Sequence, residues 1–365
     1  MNLQLQHINK IVNREMYLQD INLEFEAGSH NVLLGRTLSG KTSLLRIMAG
    51  LDRPSRGRII IDGNDVTKCF VRERSVAMVY QQFINYPSLT VYNNIASPLK
   101  ISGINKTDTD KRVREIAKML RIDDLLDRMP SELSGGQQQR TAIARALAKD
   151  AELLLLDEPL VNLDYKLREE LRIELQEIFQ QREAIVVYTT TEPGEALTLG
   201  GNIMVLDEGR VLQTGSTSAV YHQPATTKVA EVFSDPPINY LSCTIREGRA
   251  SLGQGLEFTL TNHLQSLPNG HYIFGIRPNH LFLNQSSTED IEIRAAVELT
   301  EISGSETFIH INYDNIGLVV QEEGVHPRRM GIDISIYANP GNFFVFDKMG
   351  ALAASPARKS VEMPR

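Results

Sequence analysis

Eight consecutive residues constrain this chain more than any others. Gly35-Arg36-Thr37-Leu38-Ser39-Gly40-Lys41-Thr42 fits G-x-x-x-x-G-K-[ST], between an apolar run, NVLLG (31–35), and a segment of helical period, KTSLLRIMAGL (41–51). A strand that enters a helix through a glycine-bounded turn gathers backbone N–H groups around one point, with the positive end of the helix behind them. Such a nest takes phosphate oxygens. Lys41 is expected among the terminal phosphates of a nucleotide, the Thr42 hydroxyl on Mg²⁺, and Ser43 alongside them in the first helical turn.

Short apolar runs alternate with longer helical segments around this motif. RIIIDG (58–63), VAMVYQ (76–81), LLLLDEP (153–159) and AIVVYTT (184–190) read as strands, and IMVLDEGRVLQTG (203–215) as a hairpin turning at Asp207-Glu208-Gly209. Continuous apolar strands mixed with helices imply a sheet covered on both faces, an α/β domain. The stretch from about 88 to 150 is mostly helical and reads as an insertion into that core. Paired prolines in FSDPPINYL (233–241) mark a linker. Beyond it LEFTL, HYIFGIR, IEIRAAVEL, TFIHINY, GLVVQ, ISIYA and FFVFD read as short strands of an all-β barrel or sandwich. At 365 residues the chain also exceeds what one core sustains. The expected domains are an α/β unit over 1–235, a β-barrel of OB-like kind over 236–355, and a polar tail over 356–365.

LLLLDEP supplies a partner for the phosphate loop. A buried strand ending in Asp157-Glu158 brings two carboxylates to the carboxyl edge of the sheet, where open α/β sheets bind ligands. Asp157 is expected to hold Mg²⁺ through water, and Glu158 to orient and polarise an attacking water. Further on, Leu133-Ser134-Gly135-Gly136-Gln137 precedes an amphipathic segment. Ser134 caps a helix there, and the glycines let backbone N–H groups approach an anion closely.

Together these three motifs resemble the ATP-binding-cassette ATPases, whose fold is a P-loop nucleoside-triphosphatase sheet domain with a helical subdomain. The resemblance implies that residues 134–137 act on ATP held by an opposite subunit, so that two chains sandwich two nucleotides. It makes Gln81 the glutamine that approaches Mg²⁺ and the attacking water, and Val161-Asn162-Leu163-Asp164 the loop that crosses between subunits. FGIRPNHL and EISGSETFIHI resemble the regulatory β-barrel of carbohydrate-importer ATPases, of the maltose and glycerol-3-phosphate type. TLSGKTSLLRIMAGLDRPS most resembles the ATPases of bacterial glycerol importers. The implied partners are a second ATPase subunit, two transmembrane permease subunits and a periplasmic solute-binding protein. The implied location is the cytoplasmic side of the inner membrane, as a peripheral subunit.

Three departures fall in the chain's own nucleotide site. The family's switch histidine lies in a segment like YVTHDQxEAxTL; here the segment is YTTTEPGEALTL, so Thr191 stands in its place. Threonine donates one hydrogen bond but supplies no imidazole. Leu38 occupies a loop position that is usually glycine, and a bulky residue restricts the backbone there. The adenine-stacking aromatic aligns with Val12, which leaves Tyr17 as the nearby aromatic. These changes imply a site that hydrolyses poorly while lending its intact signature to a partner's site, hence a heterodimer. The alternatives are a homodimer in which Glu158 alone sustains hydrolysis, and a non-catalytic regulatory subunit.

Composition excludes little but agrees. The chain is 42% hydrophobic and 23% charged with a net charge of −7, which argues against broad nucleic-acid binding. Cassette proteins of DNA repair or translation usually carry tandem cassettes or long coiled-coil insertions, whereas this chain reads as one cassette with a β-rich C-terminal domain. Cys69 and Cys243 lack metal-ligand spacing and read as reduced thiols, and His7, His30, His222 and His271 are scattered. No apolar window approaches the ~18–20 residues of a membrane span, and the N-terminus carries no signal-like run, so a membrane role comes through partners. The acid-rich stretch 166–177 reads as a solvated helix face.

Overall fold

The strand that feeds the glycine-rich loop lies inside a six-stranded sheet, bonded on both of its edges. The computed structural model describes residues 1–161, 163–180, 182–253 and 255–357. These form two compact units, Met1–Thr217 and Ser218–Arg365.

The first unit opens with the hairpin β1 (Leu3–Val12) and β2 (Glu15–Phe25), then β3 (His30–Leu34), α1 (Lys41–Ala49), β4 (Arg56–Ile61), β5 (Asn64–Asp65) and β6 (Val76–Val79). Three helices follow: α2 (Val91–Ile101), α3 (Lys106–Met119) and α4 (Gly135–Ala148). The rest is β7 (Leu153–Asp157), α5 (Tyr165–Gln180), β8 (Ile185–Thr190), α6 (Pro193–Leu199) and the hairpin β9 (Asn202–Asp207) and β10 (Arg210–Ser216).

Two sheets result, an antiparallel one in the order β2-β1-β4-β5 and a larger one in the order β10-β9-β3-β8-β7-β6. Every pair in the larger sheet is parallel except β9 with β10. Each residue of β7 and β8 is buried, which is why those strands read as unbroken apolar runs. β1 is instead half-buried: Leu3, Leu5 and Ile8 point into the core while polar neighbours face water. RIIIDG, grouped by its sequence with the buried strands, lies in that antiparallel sheet as β4. Leu44, Leu45, Ile47 and Met48 of α1 fill the space between the two sheets.

Parallel pairing sets three strand ends side by side. Leu34 of β3 is opposite Thr190 of β8, and Thr189 is opposite Asp157 of β7. The phosphate loop and both carboxylates therefore emerge at one edge. The helical insertion consists of α2 to α4, with Thr90 and Asn105 capping the first two through side-chain oxygens.

The second unit opens within α7 (Thr217–His222), followed by α8 (Thr227–Val232), and continues as strands with short 3-10 turns at Asn262–Leu264, Pro278–His280 and Pro340–Asn342. One sheet joins residues 256–259, 249–252, 239–246, 270–276, 344–346 and 352–354 in that order; the other joins 281–282, 333–338, 291–303, 306–313 and 316–323. Both are antiparallel, and Phe274, Val345, Ile293, Ile311, Val320 and Ile336 share one core between them. The all-β architecture expected at the C-terminal end is thus present. The residues before the paired prolines group with this unit because Thr227 N donates to Gly350 O (2.9 Å), Leu352 N to Ala225 O (3.0 Å) and Arg277 Nη2 to Tyr221 O (2.7 Å). Of the polar tail, residues 358–365 lie outside the described residues.

One surface reading needs correction. Glu174 of α5 is buried, not solvated, and pairs with Arg140 of α4 at 3.0 Å and with Arg121 at 2.9 Å. At Glu174 the helix meets two guanidinium groups, whereas Lys166 and Glu177 of the same stretch are exposed.

Candidate functional site

The phosphate loop is held by steric contacts that only glycine permits. A Cβ on Gly35 would lie 2.4 Å from Leu206 O, and one on Gly40 would lie 2.9 Å from Leu18 Cδ2 and 3.0 Å from Tyr17 O. Gly40, with φ of 105°, ends the loop without a side-chain cap, and the first helical bond is from Leu44 N to Gly40 O. The amides of Lys41, Thr42 and Ser43 therefore have their acceptors outside the helix, as an anion site requires. Arg36 and Thr37 are exposed, whereas Ser39 is buried and its Oγ meets no hydrogen-bond partner among the described residues. A phosphate oxygen at the loop would satisfy that hydroxyl.

Leu38 is 95% exposed and has φ of 68°, the left-handed region where a side chain crowds the following carbonyl. The glycine-like demand suspected at this position is real in the backbone. Tyr17 reaches the loop through its main chain, beside Gly40 and Gly209, while its ring is 43% exposed.

Asp157, Glu158 and Lys41 converge on this loop. Lys41 Nζ donates to Gly35 O (2.6 Å) and Arg36 O (3.0 Å) and lies 3.2 Å from Glu158 Oε1. Burial pulls the Lys41 pKa down, and the neighbouring Glu158 opposes that shift. Gln81 Nε2 donates to Glu158 Oε2 at 3.2 Å. Asp157 Oδ1 accepts from Thr42 Oγ1 at 3.1 Å and from Thr189 Oγ1 at 3.0 Å. Burial holds the Asp157 carboxyl above its ordinary range, with the two hydroxyls pulling the other way.

Oxygens of Thr42 and Asp157 thus meet at the loop mouth, and the Gln81 amide is brought in through Glu158. No group of three His, Cys, Asp or Glu side chains forms a metal cage among the described residues. Few, hard protein oxygens beside a phosphate nest suit Mg²⁺, which keeps waters and shares substrate phosphates.

Thr191 follows β8 and lines one small gap with Glu158, Val161, Thr190, Glu192 and Glu195. Its loop is anchored from below: the buried Glu195 accepts from Thr190 Oγ1 (2.6 Å) and Tyr188 OH (3.1 Å), and Glu192 N donates to Thr190 Oγ1 (3.0 Å). Arg168 pairs with Glu192 and donates to Leu163 O at 3.4 Å. Asp164 caps α5 through Leu167 N at 3.0 Å, and Asn162 lies outside the described residues.

Ser134 heads α4 in a reciprocal cap, accepting from Gln137 N (3.4 Å) while Ser134 N donates to Gln137 Oε1 (3.0 Å). Gly135 is open on its outer side, but a Cβ on Gly136 would lie 2.2 Å from Leu167 Cδ2. Among the described residues no hydrogen bond or ion pair joins residues 134–137 to the phosphate loop. The residue that sequence reasoning missed is Thr189, hidden in an apolar run; only its place opposite Asp157 reveals it.

Residues 18–161 match the family described as ABC transporter. The chain is 36% identical over 355 residues to the trehalose/maltose import ATP-binding protein MalK of Thermococcus litoralis, covering 93% of this chain and 95% of that protein. It is 34% identical over 360 residues to the maltose/maltodextrin import ATP-binding protein MalK of Yersinia pestis, covering 96% of each. With the oligosaccharides import ATP-binding protein MsmX of Bacillus subtilis it shares 33% over 353 residues, 94% of this chain and 97% of that one. Among solved structures, the dimeric post-hydrolysis state of the ATP-binding cassette MJ0796 bound to ADP and Pi superposes with a TM-score of 0.54 at 29% identity, covering 59% of this chain and 98% of that one.

Proposed function

Because this chain belongs to the ATP-binding-cassette transporter family and is an ATPase, we propose that it energises import of a sugar or polyol by binding and hydrolysing ATP on a membrane permease pair. The observation that carries this reading is the convergence of Lys41 on Glu158 and of Thr42 on Asp157 at the mouth of one phosphate loop. ATP is the substrate: its phosphate tail enters the loop over residues 35–43, against the amides of α1 and the Ser39 hydroxyl, with Tyr17 beside the base. Lys41 exchanges its carbonyl and carboxylate partners for phosphate oxygens. Glu158, freed from Lys41, orients and polarises the attacking water, with Gln81 alongside. Mg²⁺, held by Thr42, Asp157 and Gln81, would supply charge neutralisation at the phosphates.

The N-terminal end of α4 over Ser134, Gly135, Gly136 and Gln137, exposed at Ser134 and Gly135, serves a nucleotide on a second ATPase subunit. Thr191 donates a hydrogen bond where an imidazole would also shuttle a proton, and Leu38 strains the loop. We therefore favour a heterodimer in which this chain's own site turns over slowly and its signature completes the partner's site. Import ATP-binding proteins resembling this chain are named for trehalose, maltose, maltodextrin and oligosaccharides. The loop segment TLSGKTSLLRIMAGLDRPS favours glycerol as the particular solute. No helix among the described residues is long and apolar enough to cross a membrane. On the proposed reading the chain attaches through permease subunits on the cytoplasmic face, fed by a periplasmic binding protein.

The test is reconstitution with the permease pair in vesicles, followed by ATP-driven uptake of labelled glycerol, maltose and a longer oligosaccharide. Uptake of glycerol alone supports the narrow reading, and uptake of a saccharide replaces it. Absence of Mg-ATP binding by the assembled complex would refute the whole assignment. Robust turnover by the chain as a homodimer would remove the reason for an asymmetric pair.

A further inference from the structure

Thr189 sits at the junction of the two carboxylates, with its side chain fully buried. Its Oγ1 accepts a hydrogen bond from Glu158 N at 2.9 Å. The same oxygen lies 3.0 Å from Asp157 Oδ1 and 3.4 Å from Leu156 O, so its single proton goes to the nearer carboxylate. One hydroxyl thus grips the side chain of one acid and the main chain of the next. Glu158 needs that grip, because its φ of 44° is a left-handed conformation that a non-glycine residue holds only when its surroundings enforce it. Cross-strand register puts Thr189 directly opposite Asp157, and branching at Cβ limits the rotamers through which the hydroxyl could swing away. Valine, the residue in the family segment quoted above, would fill the same space but make neither bond.

We propose that Thr189 is a positioning residue for hydrolysis, aiming the Asp157 carboxylate at the metal and fixing the backbone from which Glu158 reaches the attacking water. This rests on the reading of the site as a Mg-ATP site. Thr189 touches neither nucleotide nor water; it acts through Asp157 and Glu158.

The experiment uses the full-length chain assembled with its permease subunits. Thr189→Val and Thr189→Ser are compared with the unmodified chain for ATP affinity without metal, for the Mg²⁺ concentration that gives half of the metal-dependent gain in affinity, and for turnover. Thr189→Val is expected to keep its metal-free affinity, to need about 10–100-fold more Mg²⁺, and to lose turnover by a similar factor. Thr189→Ser, which keeps the hydroxyl, should restore both. If the valine variant folds poorly, Thr189→Ala against Thr189→Ser makes the same comparison. A hydroxyl-free variant with unchanged Mg²⁺ dependence, or a serine variant no better than valine, overturns the proposal while leaving the nucleotide site intact. An unmodified complex without Mg²⁺-dependent ATP binding overturns it together with the reading beneath it.

Discussion

Lys41 and Glu158 form an ion pair at 3.2 Å, and the remaining Lys41 protons go to Gly35 O and Arg36 O. All three donors of the ammonium are thereby satisfied inside the protein. On the proposed reading, phosphate recruits Lys41 by displacing these partners, so that Lys41 and Glu158 are released for binding and for water polarisation in one event.

Glu158→Gln weakens that lock and removes the polarising charge. ATP affinity should rise, while hydrolysis falls by about 10²–10⁴-fold. Equilibrium binding and turnover in the assembled complex measure both. Unchanged turnover would instead mark this chain as a non-catalytic subunit.

Thr191→His returns an imidazole to the end of β8. Turnover at this chain's own site should increase, by up to about 100-fold. The measurement is ATPase activity of an assembly whose other site has been inactivated, and no gain would place the defect elsewhere in the loop.

Leu38 and Gly40 should respond in opposite senses. Leu38→Gly relieves a left-handed backbone at a side chain that is 95% exposed, so little packing is lost. The relief of about 1–2 kcal/mol exceeds the entropic penalty of glycine, about 0.5–1 kcal/mol, and stability should rise slightly. Gly40→Ala forces a Cβ against Leu18 and Tyr17 at φ of 105° and should destabilise by more than about 1 kcal/mol. Urea unfolding of both variants decides.

Glu195 makes one contribution to the pH dependence of stability. Burial raises its pKa above the ordinary 4.5, against hydrogen bonds from Thr190 and Tyr188. Such a group contributes stability that is fully present below its unfolded pKa and is lost as pH rises through the higher folded value. Glu195→Gln cannot titrate. The difference in melting temperature, variant minus wild type, should therefore grow as pH rises from 4.5 towards neutrality. A difference that is flat or shrinking across thermal scans in that window would contradict the assignment.

Glu174→Ala would leave the guanidinium of Arg140 buried without its carboxylate. Loss of about 3 kcal/mol is expected in chemical unfolding. Because Arg140 belongs to the helix headed by Ser134, the variant should also impair completion of a partner's nucleotide site.

Legibility followed the distance in sequence over which each feature is built. Gly35 to Thr42 was readable because its chemistry is local: one turn, one lysine, one hydroxyl, in fixed order. Asp157 and Glu158 were readable as a strand end, and Ser134 as a helix cap. Thr189 was not, since nothing in IVVYTT tells which threonine faces an acid. The β1–β2 hairpin was overlooked because its apolar residues alternate with polar ones and never form a run. Glu174 looked like any acid on an exposed helix until α4 was placed against it.

By itself the sequence determined the glycine-bounded loop, the strand-end acids and the serine helix cap, because periodicity and motif order depend only on near neighbours along the chain. Tertiary structure alone decided which of those groups share a space. The register of β7 on β8, the glycine-only contact of Gly40 with Leu18 and Tyr17, and the burial of Glu174 all join residues far apart in sequence. Such contacts come from the packing of whole sheets and helices, and no short stretch of sequence encodes them.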